Sequence, residues 1–129
     1  MSGRFLLDTN IVIALFAEDL SVEEQLEQAE EVFVPSIVLG ELYFGACKSG
    51  RVQQNLGRID EFALNTAVLA SDADTAREYG VIKSTLQEKG QPIPENDIWI
   101  AAIARQHDLT LVTRDGHFKE VVHLKIEMW

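Results

Sequence analysis

Four acidic residues, Asp8, Glu41, Asp97 and Asp115, stand beside apolar neighbours, where an isolated carboxylate is costly and uncommon. Asp8 ends the apolar run Phe5-Leu6-Leu7 and precedes Thr9 and Asn10. Glu41 lies among Val38, Leu39, Leu42, Tyr43 and Ala46, near an apolar stripe instead of opposite it. Asp97 opens the apolar stretch Ile98 to Ala104, and Asp115 follows Leu109 to Val112 and Thr113-Arg114. Two like charges about 5 Å apart repel by roughly 3 kcal/mol at an effective dielectric of 20. Acids gathered in this way ask for a cation. All-oxygen ligation suits Mg²⁺ or Mn²⁺, and no Cys/His spacing supports zinc. With one or two such ions, metal-assisted phosphodiester hydrolysis is the natural reaction.

Elements must bring these acids together. Phe5-Leu6-Leu7 reads as a short buried strand, because its residues do not alternate. Asp8 then sits at that strand's carboxyl end, where ligands bind in open α/β sheets; on local grounds it reads equally well as a helix cap. Ile11 to Phe16 is apolar at almost every position, more than one helix face needs, so it is buried all round or meets another subunit. Glu18 to Glu31 reads as a polar surface helix or helical hairpin, with Ser21 and Glu24 matching a capping box. Val32 to Val34 forms a second strand, stopped by Pro35, and Ser36 caps a helix from Ile37 to about Cys47. A helix over Val52 to about Leu64 leads to a third strand, Ala67 to Leu69. Ser71 and Asp72 open a helix to about Lys89, stopped by Gly90. The extended Gln91-Pro92-Ile93-Pro94 precedes the most apolar helix, begun by Glu95 and Asn96 and therefore central. Leu109 to Val112 is the fourth strand, Leu124 to Ile126 a last edge strand, and Trp129 closes over the core. Alternation of strands and helices predicts a parallel central sheet of four to five strands with helices on both faces, a Rossmann-like three-layer α/β arrangement.

The 129 residues suit one domain, 1–129. No apolar run spans a bilayer and no secretory leader is evident, so no membrane role is expected. The lone Cys47 cannot form an internal disulfide, which suits a cytoplasmic setting, and it reads as a small buried apolar residue. A net charge of −10 argues against a protein that coats duplexes electrostatically. It leaves open an enzyme that reaches nucleic acid through metal, or a basic protein partner. His107, His117 and His123 show no ligand spacing and read as surface or packing residues. Arg114 could meet a phosphate, although a solvated arginine is the commoner case.

Four segments, in order, resemble one family: Leu6-Leu7-Asp8-Thr9-Asn10; Ser36 to Leu42 with Gly45; Asn96-Asp97 before an Ala-rich helix; and Leu111-Val112-Thr113-Arg114-Asp115-Gly116-His117-Phe118. The closing Leu124 to Trp129 fits as well. The chain resembles the PIN-domain ribonucleases, specifically the VapC-type toxins of toxin–antitoxin pairs, over essentially its whole length. The resemblance implies metal-binding, catalytic acids at Asp8, Glu41, Asp97 and Asp115. It implies supporting hydroxyls at Thr9 and Thr113, with Asn96 beside the site. It also implies Mg²⁺ or Mn²⁺, an RNA substrate cut to 5′-phosphate and 3′-hydroxyl ends, a small basic antitoxin and a homodimer. Many members carry a further acid where this chain has His117, so a fifth acid is in doubt.

Two rivals share the fold class. A receiver-like signalling or phosphotransfer domain wants paired acids in its first loop and a lysine after a late strand; only Asp8 follows the first strand, and Arg114 is not at an equivalent place. An aspartyl phosphatase of the dehalogenase type wants Asp-x-Asp, and Asp8-Thr9-Asn10 offers an amide instead.

Overall fold

The computed structural model describes residues 3–129. At its centre is β1 (Arg4–Leu7), whose Phe5, Leu6 and Leu7 are all buried. Such a run, apolar on both faces, is what a central parallel strand requires. The sheet has five parallel strands in the order β3-β2-β1-β4-β5. They are β2 (Glu31–Pro35), β3 (Ala67–Leu69), β4 (Thr110–Val112) and β5 (Ile126–Glu127) around β1. Leu6 pairs with Phe33 on one side and Leu111 on the other.

Six helices flank the sheet. They are α1 (Thr9–Phe16), α2 (Leu20–Gln28), α3 (Ser36–Cys47), α4 (Val52–Leu64), α5 (Ala73–Lys89) and α6 (Glu95–Gln106). The chain winds from β1 through β2 to β3, then returns to β4 on the other side of β1. Right-handed crossovers put α1–α4 on one face and α5 and α6 on the other. The switch in winding falls between β1 and β4, so their carboxyl ends flank a crevice. The central helix is α6, with Ile98 and every residue from Ile100 to Ala104 buried. Gly90 ends α5 at φ 66°, a left-handed conformation that glycine adopts without strain. Trp129 packs edge-on against Phe5, with ring centroids 5.1 Å apart.

Several local expectations are corrected. The cap of α2 is Asp19, not a Ser21–Glu24 box; Asp19 accepts from the Ser21 backbone at 3.0 Å and its hydroxyl at 2.7 Å. Ser21 spends its hydroxyl on that carboxylate. Ser36 is the first helical residue of α3 and Pro35 holds the cap position without a side-chain bond. The last strand is Ile126–Glu127 instead of Leu124–Ile126, because β4 pairs Leu111 with Ile126 and Val112 with Glu127. Cys47 is exposed, not buried. The inward stripe of α3 is Val38, Leu42 and Ala46, at four-residue spacing, and Cys47 is turned about 100° from it. Helix α1 is not buried all round: Ile11, Val12 and Ala14 are inside, while Ile13 is 54% exposed.

Candidate active site

Asp8 begins where β1 ends. Its backbone N–H donates to Val112 O of β4 at 3.0 Å, which locks the two strand ends together. Asp8 is also the N-cap of α1, its Oδ1 accepting from Thr9 N at 2.8 Å. Cap and site are therefore the same residue. Its Oδ2 accepts from the hydroxyl of Thr113, the residue after β4, at 2.7 Å. Thr113 is fully buried, and its Oγ1 accepts in turn from Asp115 N at 3.0 Å. One buried hydroxyl thus ties Asp8 to the turn that carries Asp115.

The helices supply the other two acids. Thr9, on the first turn of α1, donates its hydroxyl to Glu41 Oε1, and Asn96 Nδ2 donates to Glu41 Oε2 at 3.3 Å. Asp97 lies in the first turn of α6 with only 14% of its side chain exposed. The cost of this crowding appears in the acidities. Burial raises the pKa of Asp8 above the usual aspartate value; hydrogen bonds from Thr113 and Thr9 oppose that rise, and the charges of Glu41 and Asp115 add to it. Asp97 is pushed up to about 6, first by burial and then by the charges of Asp8, Asp115 and Glu41. All four predicted acids therefore share one crevice at the carboxyl ends of β1 and β4. The hydroxyls of Thr9 and Thr113 and the amide of Asn96 are bonded to two of them.

Two residues depart from expectation. His117 belongs to the site: its Nδ1 lies 3.0 Å from Asp115 Oδ1 and 3.6 Å from Asp97 Oδ2. In the sequence, where the three histidines show no ligand spacing, it reads as a surface or packing residue at the place of a further family acid. The available signal was its place two residues after Asp115, across Gly116, within the same tight turn over Gly116–Glu120. Arg114 is neither free for phosphate nor simply solvated. Its guanidinium donates to Asp19 Oδ2 at 2.9 Å and to Trp129 O at 2.8 Å, fastening the loop before Asp115 to α2 and the C-terminal segment.

The donor set suits a hard cation. Asp97, Asp115 and His117 offer ligand atoms all within 4.8 Å of one another. Each oxygen of Asp8 and Glu41 already accepts one hydrogen bond and keeps a further lone pair. Carboxylate oxygens, with no thiolate, suit a divalent cation bound through oxygen, and the imidazole widens the choice among divalent ions. A cleft of about 270 Å³ adjoins the acids, lined by Thr9, Glu41, Ile13, Phe16, Gly45 and Arg58 among others.

Residues 5–124 match the family model for the PIN domain. Ribonuclease VapC2 from Haemophilus influenzae is 37% identical over 129 residues, 98% of each chain. The tRNA(fMet)-specific endonuclease VapC of Shigella flexneri is 35% identical over 129 residues, again 98% of each. The crystal structure of VapBC2 from Rickettsia felis, bound to a DNA fragment from their promoter, superposes with a TM-score of 0.89 at 32% identity, covering 97% of this chain and 98% of that one. Neither the receiver-like nor the phosphatase alternative is favoured by these matches. With its acids at a β1/β4 crevice and full-length likeness to VapC ribonucleases, the chain belongs to the PIN-domain family.

Proposed function

We propose that this chain is a Mg²⁺- or Mn²⁺-dependent endoribonuclease, the toxin of a type II toxin–antitoxin pair acting in the cytoplasm. The observation that carries the reading is the gathering of Asp97 with Asp8, Glu41 and Asp115 in one crevice, where burial and the three like charges raise the Asp97 pKa. So costly a cluster is hard to explain as scaffold. Asp8, Glu41, Asp97 and Asp115 would hold the metal, which when bound would supply Lewis-acid chemistry to phosphate and water. Thr113 orients Asp8 and couples it to the Asp115 turn, while Thr9 and Asn96 orient Glu41. Water attacks the phosphorus and the 3′ oxygen leaves, so the products carry a 5′ phosphate and a 3′ hydroxyl. No side-chain nucleophile is needed for this step, and Cys47 is exposed at the end of α3.

A small basic antitoxin would complement the net charge of −10. Exposed Ile13 and Phe44, at 54% and 63%, support burial against a second copy or that partner. Sedimentation at micromolar concentration should show a homodimer; a clean monomer removes the second copy. The central test is cleavage of total RNA with and without chelator, followed by end-group analysis. Loss of cutting in chelator and in Asp97→Asn, with 5′-phosphate ends, is expected. Cyclic-phosphate ends or activity in excess chelator would overturn the reading.

A further inference from the structure

Trp99 of α6 stacks on Tyr79 of α5, with ring centroids 4.1 Å apart and planes 14° from parallel. The pair is braced: Tyr79 donates its hydroxyl to Glu95, and Lys83 donates to both Tyr79 Oη at 3.2 Å and Glu95 at 3.0 Å. Trp99 also lines a cleft of about 260 Å³ with Ser36, Ile37 and Ser71. That is below the roughly 300–1,000 Å³ of pockets that enclose whole ligands. Among the described residues Tyr79 is the only aromatic ring stacked on the indole.

Helical spacing joins this cleft to the acids. Trp99 lies three residues after Asn96, and Ile37 lies four residues before Glu41. Residues three or four apart share a helix face, separated by about 5–6 Å. Asn96 and Glu41 are hydrogen-bonded to each other, so the cleft begins one turn from the acid cluster on both helices. Charge narrows what could fill it. Arg114, Arg105, Lys83, Lys89 and Lys125 are each paired with a carboxylate of this chain. With a net charge of −10, the chain as a whole gives a polyanion little long-range attraction. The uncharged face of a base can still be held, because stacking on a fixed aromatic ring needs no cation.

We propose that the cleft beside Trp99 is a base-stacking subsite, taking an unpaired base of the RNA next to the scissile phosphate. Ser36 and Ser71, both exposed, help line it, and hydroxyls of this kind can hydrogen-bond a base edge or ribose. Trp99 is a substrate-binding residue in this account, and the cleft limits cutting to single-stranded or splayed segments. The proposal rests on the ribonuclease reading above.

The test measures binding of a dye-labelled single-stranded RNA oligonucleotide in chelator, and cleavage of the same RNA with Mn²⁺. Trp99→Ala should weaken binding and raise KM by about 5- to 100-fold, the equivalent of losing one stacked base, with kcat little changed. Trp99→Phe, which keeps a ring, should recover most of the loss. Ser71→Trp, which fills the exposed mouth and leaves Trp99 in place, should copy Trp99→Ala without lowering the melting temperature. RNA should also quench Trp99 emission in a Trp129→Phe background. Binding and KM within twofold of the parent in both Trp99→Ala and Ser71→Trp would overturn the subsite while leaving the nuclease intact. So would a loss that tracks dissociation of an oligomer in sedimentation, which would make the cleft a contact between copies. A parent protein that neither binds nor cuts RNA takes down both readings.

Discussion

Asp8 and Asp72 occupy the same local position and behave in opposite ways. Each is the N-cap of a helix, and each is bonded to a threonine. Asp72 accepts from Thr75 N at 3.0 Å and from Gln106 Nε2 at 2.8 Å, within a capping box at the start of α5. Those bonds hold its pKa below the usual aspartate value, the Thr75 backbone first. Asp8 has bonds of equal quality, yet its pKa is raised, because burial outweighs them and Glu41 and Asp115 add like charge. A cap stabilises a carboxylate wherever water and donors dominate. It becomes a site when the fold strips the water and adds more acids.

The comparison breaks most visibly in activity. Asp97→Asn or Asp8→Asn should lower RNA cleavage at least about 100-fold, whereas Asp72→Asn should cut at nearly the parental rate. Equal losses in a cleavage assay would erase the distinction between cap and site. The next effect is on stability against pH, without metal. Asp97 has a folded pKa of about 6 against 3.8 for the free group, so the folded state binds the extra proton between those values. Its contribution is full below pH 4 and is lost as pH rises towards 6. Urea titrations should show Asp97→Asn matching the parent near pH 4 and exceeding it by about 1–3 kcal/mol at pH 7. Excess Mn²⁺ should raise the parent's melting temperature and narrow that gap. For Asp72 the sign reverses: its lowered pKa gives stability that is present above pH 4 and lost on acidification.

A smaller effect separates the two caps directly. Asp72→Ala should lower the midpoint of thermal or urea unfolding, the usual effect of losing a helix cap. Asp8→Asn in chelator should be no less stable than the parent, since a repulsion disappears. A clear destabilisation would return Asp8 to the role of cap alone. Smallest of all, His117→Ala should reduce cleavage only a few-fold, under about 1 kcal/mol, because the carboxylates of Asp97 and Asp115 remain. A dead His117→Ala beside an active Asp97→Asn would invert the assignment of roles.

The apolar runs of β1 and α6 and the turn at Gly90 are local patterns, so the alternation of strand and helix could be read from them. The four acids were legible for the same reason. Each interrupts an apolar pattern that would tolerate it only with a partner. The errors fell where neighbours compete over one or two residues: Asp19 took the cap of α2 from Ser21, Pro35 displaced Ser36, and the pairing of β4 moved β5 towards the C-terminus. Cys47 was misjudged because one position of helical rotation separates inside from outside.

What the chain alone determined is therefore the set of elements and the residues whose burial needs an explanation, because both follow from periodicity and from the cost of desolvating charge. Tertiary structure decided which of those residues meet. The crossing from β3 back to β4 sets Thr113 against Asp8, 105 positions away, and brings Asn96 to Glu41 across 55. It also turned His117 into the acids and fastened Arg114 to Asp19 and Trp129. These contacts depend on strand order and helix packing between distant segments, and no local pattern of residue types encodes them.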